Sequence, residues 1–183
     1  MQVEKELLIQ ELLTLTEQAI KYAQEFKTLS ERELNFKNNS TEWSILECVE
    51  HLNLYGDFYL PEIERTILES KQKFDNTIFK SSFIGNYFAN LMKAKNGKIK
   101  KMKTPKDKDP LNSSLSITTI DRQVKQLEKL KMLLVQSRTV NLTKMKTAIS
   151  LTKLIKLRLG DTLRFVVYHI ERHILQAKNI TTK

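Results

Sequence analysis

The chain has 183 residues, enough for one domain that buries its own core without staples. Four glycines and three prolines interrupt it little, and 31 lysines and arginines against 21 aspartates and glutamates leave a net charge of +10. The single cysteine, Cys48, excludes an intrachain disulfide, and no apolar run reaches membrane-spanning length. A cytoplasmic protein without a membrane segment is therefore expected, and the amphipathic start with Glu4, Lys5 and Glu6 does not read as a signal peptide.

Four helical stretches are predicted, with no strand pattern competing with them. The first covers about residues 3–29, where Leu7, Leu8, Leu12, Leu13, Leu15, Ala19 and Tyr22 recur at helical spacing. Residues 35–41 are polar and read as a loop. The second helix covers 44–69. Ser44 and Glu47 form a capping box, and Trp43, just outside the cap, is placed to pack on Cys48 as a hydrophobic staple. Pro61 inside this stretch predicts a kink or local irregularity.

Residues 70–117 form a long connection. Phe79, Phe83, Ile84, Tyr87, Phe88 and Leu91 suggest a short helix on the body of the domain. A lysine-rich insert over about 93–108 follows, with Pro105 and Pro110 marking loop, and its like charges favour exposure. The third helix is predicted over 118–137, with Ile120, Val124, Leu127, Leu130 and Leu134 on one side. Residues 139–158 fit an extended approach and a turn. The fourth helix starts near Asp161, read as its N-cap, and runs to about 179. Four amphipathic helices bury their stripes most simply against one another. The expected fold is an all-α four-helix bundle, a single domain over 1–183, with a long crossover connection between helices 2 and 3.

The only three histidines carry the chemistry. His169 and His173 stand at i, i+4, a net rotation of about 40° on a helix, so both rings leave one face a turn apart. Thr162, Phe165, Val166, Gln176 and Ile180 share that face, whereas Arg164, Glu171 and Lys178 lie opposite. The same projection puts Cys48, Tyr55, Phe58 and Glu62 beside His51, with Asn53 and Asp57 pointing away. All three imidazoles are thus expected inside the bundle, where a shared divalent cation accepts a lone pair from each neutral ring. Three histidines leave a tetrahedral position open, the arrangement of catalytic rather than structural zinc. Imidazole suits nickel and iron as well as zinc.

Glu47, one turn before His51, is a candidate for steadying a ligand, for general base, or for capping alone. Tyr55 lines either a pocket or the core, and Gln176 is an inward polar group that needs a partner. Arg172 could steer an anionic substrate or serve in a surface ion pair. Cys48 reads as a small buried apolar side chain. The lysine excess reads first as a solvated exterior, with a nucleic-acid surface as the weaker alternative, since aromatic residues do not interleave with the lysines.

Two motifs carry a family resemblance. Trp43-Ser44-Ile45-Leu46-Glu47-Cys48-Val49-Glu50-His51-Leu52 resembles the W-S-x-x-E-x-x-x-H-L signature of the DinB-like (damage-inducible) superfamily. Leu159-Gly160-Asp161-Thr162-Leu163 followed by His169-Ile170-Glu171-Arg172-His173 and Gln176 resembles its closing H-x-x-R-H-x-x-Q helix. The resemblance implies a crossover four-helix bundle with a zinc- or nickel-type metal on His51, His169 and His173, and often a homodimer. It also implies kinship with thiol-dependent enzymes, among them bacillithiol S-transferases and mycothiol-dependent isomerases. The lysine-rich insert has no match in that pattern. The expected activity is metal-dependent thiol S-transfer or hydrolysis on a small-molecule substrate, with a low-molecular-weight thiol as partner. The alternative is a non-catalytic binding protein, stapled by its metal, whose basic surface meets nucleic acid or an acidic partner.

Overall fold

The computed structural model describes residues 1–70, 77–93, 102–150 and 152–181. Helix α1 (Lys5–Phe26) buries Leu8, Ile9, Leu12, Leu13, Thr16, Ala19 and Ala23, a stripe at helical spacing, while Leu7 faces solvent. The one-turn helix α2 (Glu31–Leu34) turns the chain under a Ser30–Glu33 capping box. Helix α3 (Ile45–Leu68) begins on the predicted capping box. The Ser44 hydroxyl accepts the Glu47 amide at 3.2 Å, and the Glu47 carboxylate accepts the Ser44 amide at 2.8 Å. The helix continues through Pro61 without interruption.

Two small antiparallel pairs, not expected from the sequence, trim the bundle. Strand β1 (Gln2–Glu4) pairs with β2 (Ile78–Lys80), Val3 opposite Phe79. Strands β3 (Lys146–Ile149) and β4 (Thr152–Arg158) form a hairpin where an extended approach was predicted. Strand β3 alternates buried Thr147 and Ile149 with more open neighbours, as a half-buried strand does, and the α3 side chains Glu62 and Tyr59 accept the amides of Ala148 (2.7 Å) and Ser150 (3.3 Å). Between the pairs lie helix α4 (Phe83–Met92), a 3-10 turn at Lys106–Lys108, and helix α5 (Thr118–Gln136). Helix α6 (Leu159–Thr181) ends the described chain. Lys95, Lys98, Lys100 and Lys101 of the predicted loop lie outside the described residues.

The long helices α1, α3, α5 and α6 close a four-membered ring in which α1 and α3 each touch α5 and α6. Named contacts give the directions. Lys27, at the end of α1, pairs with Asp121 at the start of α5, and Glu6 with Arg138 beyond its end, so these two helices are antiparallel. Glu50 meets Arg122 and Glu64 meets Lys129, so α3 and α5 are parallel. His51 meets His169 and Tyr59 meets Phe165, so α3 and α6 are antiparallel. Parallel α3 and α5 cannot be joined by a tight turn. The connection must travel back along the bundle, and the predicted crossover follows.

Asp161 is not the N-cap of α6. It stands within the first turn and reaches sideways, fully buried, to accept the Ser82 amide and hydroxyl (both 2.9 Å) and the Ser81 hydroxyl. Arg164, placed by the helical projection on the face away from the histidines, is buried rather than solvated. The polar side chains of Ser81, Asn86 and Asn90 accept its N–H groups at 3.2–3.3 Å, and Asp161 lies 3.5 Å away. The reason is tertiary: α4 lies on the outer face of α6 and converts it into a second interior. Gly85 permits the approach, since a Cβ there would sit 2.1 Å from Asp161 Oδ2.

Candidate metal centre

The antiparallel crossing of α3 and α6 brings the N-terminal third of α3 to the middle of α6. His51 therefore faces His169 and His173, and all three are buried. His51 Nε2 lies 3.1 Å from His169 Nε2, and one ring nitrogen from each histidine falls within 4.8 Å of the other two. Ligands at about 2.0–2.1 Å on a tetrahedral zinc stand roughly 3.3 Å apart, so the donor set fits a divalent cation with a small turn of one ring.

Two tautomers follow from hydrogen bonding. The Lys108 backbone carbonyl lies 2.7 Å from His51 Nδ1, and Gln176 Oε1 lies 2.9 Å from His173 Nδ1. An oxygen of either kind can only accept here, so both Nδ1 atoms carry the proton and both Nε2 atoms keep a lone pair. Burial holds the His51 imidazolium down to about pH 4, against the opposing pull of the Lys108 carbonyl and Asp109. Burial first, then neighbouring histidines and the Arg172 charge, hold His169 and His173 well below the usual histidine range. The three rings are therefore neutral at pH 7, the form a metal requires.

Aromatic rings flank the cluster. Trp43 lies over His51 and His173, with centroids 4.7 and 5.7 Å away, and its indole N–H donates to Asp109 at 3.1 Å. Trp43 also packs against the buried core cluster that includes Cys48. Tyr55 packs on His51 and His169 at 4.9 and 4.4 Å, and burial pushes its phenol up to about 12. Beyond Tyr55 a cavity of about 20 Å³, lined by Tyr59, Gln123, Leu127, Phe165 and His169, has room for roughly one water. The Gln123 side-chain oxygen is buried there without a partner.

The candidates of the sequence divide. Gln176 is a direct partner of His173. The Glu47 carboxylate is occupied by the Ser44 amide, by Lys37 at 2.6 Å and by the Asn112 amide at 2.5 Å. Cys48 is fully buried, and burial pushes its thiol far up. Arg172 is buried, close enough to oppose protonation of His169 and His173. Sequence reasoning missed the Lys108 carbonyl, because a backbone atom leaves no residue-type signal. It also missed the position of Trp43 over the rings, for which its place at the capping box was the available hint.

Fold and centre together define a class: an all-α bundle whose α3 and α6 present three buried histidines to one another. The chain belongs to the DinB superfamily, whose family model matches residues 14–177. No curated protein and no solved structure shows a match to the chain. Among the described residues no helix is long and apolar enough to cross a membrane.

Proposed function

We propose that the chain is a single-domain protein over 1–183 that holds a divalent metal, zinc or nickel, on His51, His169 and His173. We propose further that it is a cytoplasmic metal-dependent enzyme of the thiol S-transferase or hydrolase type. The observation that carries the metal reading is the convergence of three neutral, buried imidazoles within 4.8 Å. The reaction class rests on the sequence resemblance and on the donor count. Such a cation would supply Lewis acidity at the coordination position that three protein ligands leave open.

The chain's own residues prepare that position. The Lys108 carbonyl and Gln176 keep the Nδ1 protons of His51 and His173 in place and leave the Nε2 lone pairs directed inward. Trp43 and Tyr55 shield the cluster from water on two sides, and the Tyr55 phenol, protonated at neutral pH, can donate to a bound substrate. The buried positive charge of Arg172 favours an anionic small molecule, such as a low-molecular-weight thiol bearing a carboxylate. Glu47 acts by bracing the loops around the site. Exposed Phe83, Ile84 and Tyr87 on α4 offer an apolar face for a second copy, so a homodimer is the expected assembly.

The test begins with the metal content of the purified protein, followed by conjugation of a thiol to an electrophile by the wild type and by His173→Ala. The wild type should hold about one metal per chain, and the variant should lose both metal and conjugation. The net charge of +10 favours a second reading, a metal-stapled binder of nucleic acid or an acidic partner. Salt-dependent DNA binding that survives His173→Ala, with no conjugation by the wild type, would select it.

A further inference from the structure

The backbone group that sets the His51 tautomer comes from the far side of the crossover connection, 57 residues along the chain. The segment bearing it, residues 106–112, is fastened at several independent points around the histidine cluster. Asp109 accepts the Trp43 indole N–H at 3.1 Å, and the ring of that tryptophan covers His51 and His173. The Lys108 ammonium donates to the Leu54 carbonyl, one turn after His51, at 3.1 Å. The Asn112 amide donates to Glu47, and Lys37 bridges Glu47 and the Asn112 side chain at 2.6 and 3.1 Å. Asn112 adopts φ 63°, a left-handed conformation that asparagine tolerates and that turns the strand of chain back toward Glu47.

These contacts share a feature. Each joins residues 106–112 to Trp43, Glu47, His51 or Leu54, that is, to the cap and first turns of α3, or to Lys37 just before it. Apart from the histidine bond itself, none involves a metal ligand. Glu47, buried with its oxygens all engaged, has a role here that the capping box alone does not explain: it ties Asn112 to the helix that carries His51. Lys106 and Lys108 make this segment the end of the lysine-rich insert.

We infer that residues 106–112 form a strap whose seating and metal binding are one coupled equilibrium. Seated, the strap holds His51 as the Nδ1–H tautomer with its Nε2 lone pair on the cluster. A cation drawing on that lone pair makes the Nδ1–H a better donor to Lys108 and so holds the strap down. Linkage makes the effect reciprocal: whatever factor the strap contributes to metal affinity, the metal contributes to strap closure. An insertion that reads as a solvated loop thereby becomes part of the metal centre. This inference rests on the metal reading above.

The experiment uses the full chain, zinc as the probe and two readouts, neither of them activity. Zinc affinity is measured by calorimetry for the wild type, Asp109→Ala and Trp43→Phe; the last keeps a smaller aromatic ring at that position and removes the indole N–H that Asp109 accepts. Amide hydrogen exchange of residues 106–112 is followed with and without zinc. Loosening a partner of a metal ligand typically costs about 10–100-fold in affinity, and the lower end, roughly tenfold, is expected for Asp109→Ala. Trp43→Phe should weaken zinc in the same direction, which keeps the test open if the alanine variant fails to fold. Zinc should slow exchange at Leu111 and Asn112 in the wild type and much less in Trp43→Phe. If the wild type binds zinc while both folded variants bind it equally well, or if exchange in the strap ignores zinc, the coupling is overturned and the metal reading stands. A wild type that binds no divalent metal overturns both.

Discussion

Lowering the pH from 7 to 5 is expected to destabilise the metal-free protein through its buried histidines. An ordinary imidazole takes up its proton near pH 6.5. Burial holds His51 down to about 4, and His169 and His173 well below 6.5. As the pH falls, the unfolded chain binds protons that the folded chain refuses. Stability is therefore full above about pH 6.5, drains through the window from there to about 4, and then levels off as the folded ring protonates in turn. For His51 alone, integration between pH 7 and 5 gives a loss of about 2 kcal/mol, a sizeable part of the 5–15 kcal/mol typical of a domain. The other two rings add in the same direction. Urea denaturation of chelator-treated wild type and His51→Asn at the two pH values separates this term from other titrating groups. The wild type should lose about 2 kcal/mol more than the variant over the interval. Equal losses would refute the claim that His51 is buried and neutral, and with it the pre-formed donor set.

Three further outcomes follow from named contacts. Gln176→Leu removes the acceptor of the His173 Nδ1 proton at 2.9 Å and should weaken zinc binding about 10–100-fold by calorimetry with little change in fold. Gly85→Ala puts a methyl group 2.1 Å from Asp161 Oδ2; the forced shift of α4 should cost about 1–3 kcal/mol in urea midpoint analysis. Asp161→Ala leaves buried Arg164 without its carboxylate and Ser81 and Ser82 without their acceptor. A loss of about 3–5 kcal/mol is expected, and Arg164→Met in the same background should recover part of it, since the stranded charge is then gone.

Much of this protein is legible one residue at a time. The helices show in the spacing of Leu8, Leu12, Ile120, Leu127 and Leu134, because an amphipathic helix must repeat its apolar side every three to four residues. The start of α3 shows in Ser44 and Glu47, because a cap is a local bargain between neighbours in sequence. The inward direction of His51, His169 and His173 follows from the same rotation rule, and the long gap before α5 permits the crossover that the family resemblance implies.

What the tertiary structure decided lies where one element covers another. Arg164 and Asp161 sit on faces that a single helix assigns to water or to a cap, and both are buried because α4 arrives from 80 residues earlier and turns that side into interior. Strand β1 depends on a partner from a distant segment, Phe79 opposite Val3, and the three or four paired residues of each small sheet leave too short a pattern to read. The tautomer of His51 depends on a backbone carbonyl, a group every residue carries, delivered by a stretch whose composition signals only loop. Periodicity reports which way a side chain points from its own axis; only packing determines what waits there to meet it.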